Sequence, residues 1–384
     1  MYPTISHLLF DIFGINIPLP IQTFGFWVAI AFLAASYVIT KELKRKEEEG
    51  FLKTSTIKIT IGKSLNTYEI LGSLVSGFLI GFKLIEAIFH YADLVANPQD
   101  FILSTRGNFL GGIIIAGLSV YLKWYENKKA RLAAPKKIEK TIHPYELVGN
   151  MTMIAAVSGI IGAKIFHNLE NIGEFVADPI NQLISFSGLT FYGGLIVGAF
   201  SVIWYAKRYK INILQLIDSA APALILAYGI GRIGCQMSGD GDWGIDNIAP
   251  KPEWMAFLPD WMWSYTFPHN VINSGIPIEG CVGNFCMELP NPVWPTAFYE
   301  VVMCLLIFSF MWAIRKHIRV PGILFCIYLG LNGVERFFIE KIRINTEYNI
   351  LGGITQAEII SFCLVLIGLL GCIILYRNNK KAIL

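Results

Sequence analysis

Residues 224–244 read LILAYGIGRIGCQMSGDGDWG. An apolar run long enough to enter a bilayer carries Arg232 between Gly231 and Gly234, then breaks into a short acidic turn. Arginine at membrane depth is costly, so it normally has a partner or a ligand. Flanking glycines let a second backbone or a headgroup come close. The stretch reads as a membrane helix ending in an anion site centred on Arg232. The plainer alternative is a helix-end arginine that snorkels to the interface. The two glycines and the acidic turn favour the anion site.

Composition agrees with a membrane helix. Of 384 residues, 54% are apolar and 15% charged, and the mean hydropathy is +0.54. A soluble chain carries about 25% charged residues. Runs of roughly 17–25 apolar residues span a bilayer. Such runs lie at 22–40, 69–90, 108–125, 147–168, 187–206, 213–236, 296–314, 320–339 and 355–376. The expectation is an all-α polytopic membrane protein with about nine transmembrane helices. Net charge is only +3, with the basic residues in short loops, so nucleic acid is not an expected partner.

The loops set orientation. KELKRKEEEGFLK, KWYENKKARLAAPKKIEK, AKRYK, RKHIR and YRNNKK follow alternate spans, and the loops between them are neutral or acidic. Basic loops stay in the cytoplasm, which puts the N-terminus outside and the C-terminus inside. The organisation expected is an interfacial amphipathic segment (1–21), a first span with its basic loop (22–68), a helix pair (69–125) and a basic loop (126–146). A second helix pair with the Arg232 span (147–236), an outer-face cap (237–295) and three last spans (296–384) follow. The first segment lacks the basic start and cleavage site of a removable signal peptide.

The two helix pairs are copies. IGFKLIEAIFHYADLVANP (80–98) matches IGAKIFHNLENIGEFVADP (161–179), and NFLGGIIIAGLSV (108–120) matches TFYGGLIVGAFSV (190–202). Lys83 falls opposite Lys164. Each unit is two spans, so the copies share one orientation, unlike inverted transporter repeats.

The cap is rich in Trp, Pro, Asp and Gly. It is too long for a bare connection. Cys281 and Cys286 (CVGNFC) belong to it, and in an oxidising compartment they read as a local disulfide. A metal there is less favoured, since His269 is the one other ligand of the usual kind nearby.

Several residues near the outer ends of the spans bear chemistry. Arg336, Glu340 and Arg343 in LNGVERFFIEKIR share one helix face. Arg232 and Arg336, at similar depth on two helices, make a clamp for a phosphate. Glu340 reads equally as a simple ion-pair partner. Gly193 and Gly194 follow Tyr192, and spacing alone makes them helix-packing residues. His167 lies at an outer helix end, where it is a potential proton acceptor. Tyr299 and Glu300 open the seventh span, and Asp240 and Asp242 pair with the arginines or bind substrate. No G-x-S-x-G, HExxH or P-loop occurs. The chain offers no nucleophile of its own.

At this point a resemblance enters. SGLTFYGGLIVGAFSVIWYAKR followed by GIGRIGCQMSGDGDWG resembles the signature region of bacterial prolipoprotein diacylglyceryl transferases. TFGFW, PTAFYE, ERFFIEKIR and GGITQAEIIS extend the likeness over most of the chain from Pro20. The resemblance implies a cytoplasmic (inner) membrane enzyme acting at its outer, periplasmic face. It would move the diacylglyceryl group of phosphatidylglycerol to the lipobox cysteine thiol of a prolipoprotein signal peptide and release glycerol phosphate. Its partners would be that lipid, those signal peptides and the surrounding membrane lipids, with no cofactor and no metal. The substrate brings the thiol, and the leaving phosphate needs cationic stabilisation.

Carried over by position, Arg232 and Arg336 correspond to the family's two essential arginines, Glu340 to a family glutamate and Gly244 to a required glycine. Asp240 or Asp242 stands near another family glutamate, with one extra residue before Trp243. The chain departs in having Tyr192 for histidine, Cys235 for asparagine and Phe24 for tyrosine. The helix pair 69–125 is also extra. The proton acceptor is then Tyr192, His167 or the phosphate itself. The remaining binding residues implied are Gly193, Gly194, Cys235, Tyr299, Arg343 and Phe24. Two rivals are a lipid or anion transporter and a non-catalytic signal-peptide-binding protein.

Overall fold

The computed structural model describes residues 1–15, 17–132, 134–185, 188–345, 347–348 and 353–383. The chain opens with α1 (Ile5–Phe13) and α2 (Thr23–Glu48), then β1 (Ser55–Ile61). A helical unit follows: α3 (Thr67–Phe89), α4 (Tyr91–Ala96), α5 (Pro98–Leu103) and α6 (Phe109–Ala130). After β2 (Lys136–Ile142) come α7 (Val148–Glu170), α8 (Ile172–Ala177), α9 (Pro179–Ile184), α10 (Phe191–Arg208) and α11 (Ile213–Ser238). A long irregular segment holds β3 (Ile276–Pro277) and β4 (Met287–Glu288). The chain ends with α12 (Thr296–Ile314), α13 (Ile323–Glu340), β5 (Glu347–Tyr348), β6 (Ile354–Thr355) and α14 (Gln356–Ile383).

Among the described residues, six helices are long and apolar enough to cross a membrane: α2, α3, α7 with the turn before it, α11, α12 and α14. The other three expected runs are α6, α10 and α13. Of these, α10 and α13 have 18 residues each, and α13 contains Glu335, Arg336 and Glu340. The expected start of the fifth run, Ser187, lies outside the described residues, and α10 begins at Phe191.

The chain is mostly helical, consistent with the expected all-α class, and carries short strand pairs besides. β1 and β2 form an antiparallel ribbon with Ser55 opposite Ile142 and Ile61 opposite Lys136. STIKITI alternates apolar and polar residues, the period of a strand. Two basic loops expected to be separate are thus one structure.

The duplication extends into the connections. His90 and Asn171 join their helices with φ/ψ of −123°/48° and −118°/50°. Asn97 and Asp178 match at −148°/85° and −146°/78°. Each of the latter caps the next short helix with its side chain. α3 packs chiefly on α6, and α7 on α10.

α11 pairs with α2 and α12, and α13 with α14. One buried cluster joins Leu43, Val148, Met151, Ala206, Ile211 and Leu216 at the end of the bundle away from Arg232. There Asp218 accepts hydrogen bonds from the N–H groups of Gly322 (2.7 Å) and Phe325 (2.9 Å). It thereby caps α13 from a neighbouring helix, since the first N–H groups of a helix lack internal partners. A second cluster, with Ala221, Ile225, Cys304, Met311 and Leu324, binds α11, α12 and α13. A third, with Trp243, Phe267, Leu289 and Val293, lies in the irregular segment. Cys281 and Cys286 form a disulfide within that segment. The chain start is sewn to it: the Met1 amino group donates to the Pro268 carbonyl at 2.8 Å.

Candidate active site

α11 ends in Gly239, whose φ of 65° is left-handed. Such a residue closes a helix without the Cβ penalty of other types. The loop then runs back along the bundle. The Gly244 N–H donates to the Trp294 carbonyl at 2.9 Å, and the Ile245 N–H donates to the Ile342 carbonyl at 2.9 Å. Gly244 also bridges Arg343 in antiparallel fashion. A Cβ on Gly244 would collide with the Ile342 carbonyl oxygen, so the close approach of the two strands requires glycine there.

These elements bring three arginines together. Arg232 Nε lies 2.9 Å from Glu300 Oε2, and its Nη1 contacts Asp242 Oδ2. Its guanidinium stands 5.1 Å from the centre of the Tyr228 ring. Arg336 Nη1 is 3.3 Å from Glu300 Oε1, and its Nη2 is 3.0 Å from Glu340 Oε2. Arg343 Nη2 contacts Asp242 Oδ1, and its Nη1 lies 3.6 Å from Glu300 Oε1. Burial, then the charge of Arg232, lowers the pKa of Arg343 from its usual value. Arginine nonetheless stays protonated in proteins.

Glu300 is the hub. Its side chain is fully buried on α12, and it touches all three arginines and accepts from the Tyr228 hydroxyl at 2.7 Å. An isolated buried carboxylate would be costly, and its pairing to several cations offsets that cost. Sequence reading noted Glu300 only as opening a span, and it missed Tyr228. The signal for Tyr228 was its place one helical turn before Arg232. Glu340 also accepts from Asn345 Nδ2 at 2.5 Å. Glu335 is a further buried carboxylate beside Arg336, and neither of its oxygens has a hydrogen-bond partner among the described residues.

Other expected residues take varied places. Asp240 Oδ1 accepts from the Asp242 N–H at 3.3 Å, so of the two Asp242 is the arginine partner. Cys235 Sγ is 3.7 Å from Arg232 Nη1. The thiol and the carboxylates of Asp240 and Asp242 lie within 4.8 Å of one another. Both Asp242 oxygens face guanidinium groups, whose charge opposes a cation there. Phe24, at the start of α2, packs with Trp27 against Gly234.

Five further expected residues make other contacts. Tyr299 is turned toward the irregular segment, its hydroxyl donating to the Met262 carbonyl at 2.8 Å. Gly193 and Gly194 pack on α7, against Phe166 and Gly162 and against Gly159 and Ala163. Small residues bring those helices close. His167 Nδ1 is 3.3 Å from Asn171 Nδ2 in the same hairpin. Tyr192, half exposed, stacks edge-on to Phe191 at the start of α10. Among the described residues, no hydrogen bond or ion pair joins Tyr192 or His167 to the arginines. The two repeat lysines close their own turns. Lys83 Nζ donates to the carbonyls of Phe101 (2.8 Å) and Arg106 (2.7 Å), and Lys164 Nζ donates to Ser185 Oγ (3.0 Å).

Known proteins are similar to this chain in sequence. The family profile described as prolipoprotein diacylglyceryl transferase matches residues 113–374. A phosphatidylglycerol–prolipoprotein diacylglyceryl transferase of Clostridium botulinum (strain Loch Maree / Type A3) is 30% identical over 289 residues, covering 74% of this chain and 98% of the relative. One from Dehalococcoides mccartyi (strain ATCC BAA-2266 / KCTC 15142 / 195) is 29% identical over 240 residues, covering 62% and 79%. One from Corynebacterium glutamicum (strain ATCC 13032) is 29% identical over 255 residues, covering 65% and 72%.

Proposed function

The chain belongs to the prolipoprotein diacylglyceryl transferase family, and from that premise we propose how its clustered arginines serve the reaction. It is a multi-pass membrane transferase that moves the diacylglyceryl group from phosphatidylglycerol to a prolipoprotein, the first step of lipoprotein maturation. The acceptor is the lipobox cysteine thiol of the signal peptide. Sulfur bonds to the glyceryl carbon that carries the phosphate ester, the carbon–oxygen bond breaks, and glycerol phosphate leaves. The thiol proton ends on that phosphate, so charge and atoms balance.

Arg232 and Arg343 hold the phosphate, and Arg336, fixed between Glu300 and Glu340, adds positive charge beside it. Charge that develops on the leaving oxygen is then met by donors already in place. The observation that carries this reading is the convergence of three guanidiniums on one buried carboxylate, Glu300. Tyr192 relays the proton. Its ring is half exposed, and it sits at the amino end of α10. His167, in the same hairpin, is the second candidate.

The helices α2, α3, α6, α7, α10, α11, α12, α13 and α14 make nine spans. The alternation of basic loops supports an N-terminus outside and a C-terminus in the cytoplasm. The site then faces the outer side of the cytoplasmic membrane, beneath residues 237–295 as a cap. The Cys281–Cys286 disulfide suits that oxidising side.

The test uses purified protein in phosphatidylglycerol bilayers with a lipobox peptide, and reads released glycerol phosphate. Release that requires the peptide cysteine and falls by about 100-fold or more in Arg232→Ala and Arg336→Ala is expected. Equal release in those variants would overturn the assignment of the arginines.

A further inference from the structure

The carboxylates that neutralise the three arginines are not equivalent. The side chains of Glu300 and Glu340 are 0% and 1% exposed and rise from helices. The Asp242 side chain is 30% exposed and belongs to the loop after α11. One of its oxygens meets Arg232 and the other meets Arg343. A carboxylate spanning two guanidiniums from separate elements makes the contacts that two non-bridging phosphate oxygens would make.

We propose that Asp242 occupies the phosphate subsite of the resting enzyme and must rotate out for the lipid phosphate to enter, which makes it a specificity-determining residue. The inference rests on the reading that Arg232 and Arg343 bind the phosphate. Its backbone is anchored: the carbonyl accepts from Thr296 Oγ1 at 2.7 Å, and the N–H donates to Asp240 Oδ1. The carboxylate therefore leaves by turning its side chain while the loop stays. Arg232 keeps Glu300 at 2.9 Å and Arg343 keeps it at 3.6 Å, so both guanidiniums stay aimed. A second observation points to a ligand. Arg343 Nη1 is buried and has no hydrogen-bond acceptor among the described residues. A buried donor without an acceptor is costly, and a phosphate oxygen would fill it.

Charge then sorts ligands. The contacting groups balance as three cations (Arg232, Arg336, Arg343) against three carboxylates (Asp242, Glu300, Glu340). A phosphate diester replaces Asp242 one charge for one. A monoester such as glycerol phosphate has a second ionisation near pH 6, so it approaches two negative charges, and the returning Asp242 expels it. The residue favours the lipid substrate over the released product and over free phosphate.

The experiment compares wild type with Asp242→Asn, reading inhibition by glycerol phosphate and the KM for phosphatidylglycerol. Removing the competing charge is expected to lower the glycerol phosphate inhibition constant by roughly three- to tenfold, because the open state no longer has to be selected from a minor population. KM should fall by a smaller factor. A residue that merely steadied the arginines would shift both constants upward, so an unchanged or raised inhibition constant overturns the proposal. Asp242→Ser, which also lacks the charge, repeats the comparison if the amide impairs folding. If glycerol phosphate inhibits none of the proteins and Arg232→Ala stays active, the phosphate reading itself has failed.

Discussion

Arg232 and Glu300 come from separate helices and meet at 2.9 Å, with the glutamate side chain wholly shielded from solvent. The same carboxylate also lies 3.3 Å from Arg336 and 3.6 Å from Arg343. Glu300→Gln keeps the shape and removes the charge, leaving guanidiniums that repel one another. Breaking a buried pair of this kind costs about 3–5 kcal/mol. Thermal unfolding in detergent should show a marked loss of stability, and transferase activity should fall below a tenth of wild type. A variant as stable and active as wild type would remove Glu300 from the centre of the site.

Gly244→Ala places a methyl group against the Ile342 carbonyl and the Trp294 and Thr296 side chains. Overpacking typically costs about 1–3 kcal/mol. The strain falls on the strand that carries Arg343, so activity should drop more than stability. Paired melting and glycerol phosphate assays check this.

Tyr192→Phe tests the proton relay. The ring's packing on Phe191 survives, and only the hydroxyl is lost. Turnover should fall about tenfold or more, within the usual contribution of general acid–base catalysis, with the KM for phosphatidylglycerol unchanged. Unaltered turnover would leave His167 or the phosphate as the acceptor.

The first repeat unit should be dispensable for chemistry. Ile61 and Lys136 are register partners, so a short turn joining them would close the ribbon without α3 to α6. Those two long helices pack chiefly on each other. The shortened protein should retain transferase activity within an order of magnitude, measured as lipid transfer to a model peptide.

Arg232 and Arg336 were legible because charges inside apolar runs are conspicuous. Their shared counter-ion was not, because Glu300 reaches Arg232 only through the packing of α12 on α11. The ribbon of β1 and β2 shows strand alternation in sequence, but a whole helical unit separates its halves. Asp240 and Asp242 could not be told apart until the loop was folded back on Trp294 and Ile342. Spacing alone favoured helix packing for Gly193 and Gly194, and both lie against α7.

The hairpin of α7 and α10 is tied to α2 and α11 through Leu43, Val148, Met151, Ala206 and Leu216, at the end remote from Arg232. Close to Arg232, no buried cluster of the described residues spans from α10 to α11. A phospholipid reaching the arginines between these helices travels within a plane. Its supply is then set by its mole fraction among neighbouring lipids and by lateral diffusion, not by a concentration in bulk water. Diluting phosphatidylglycerol with an inert zwitterionic lipid should slow the enzyme even when the total lipid per volume is held constant.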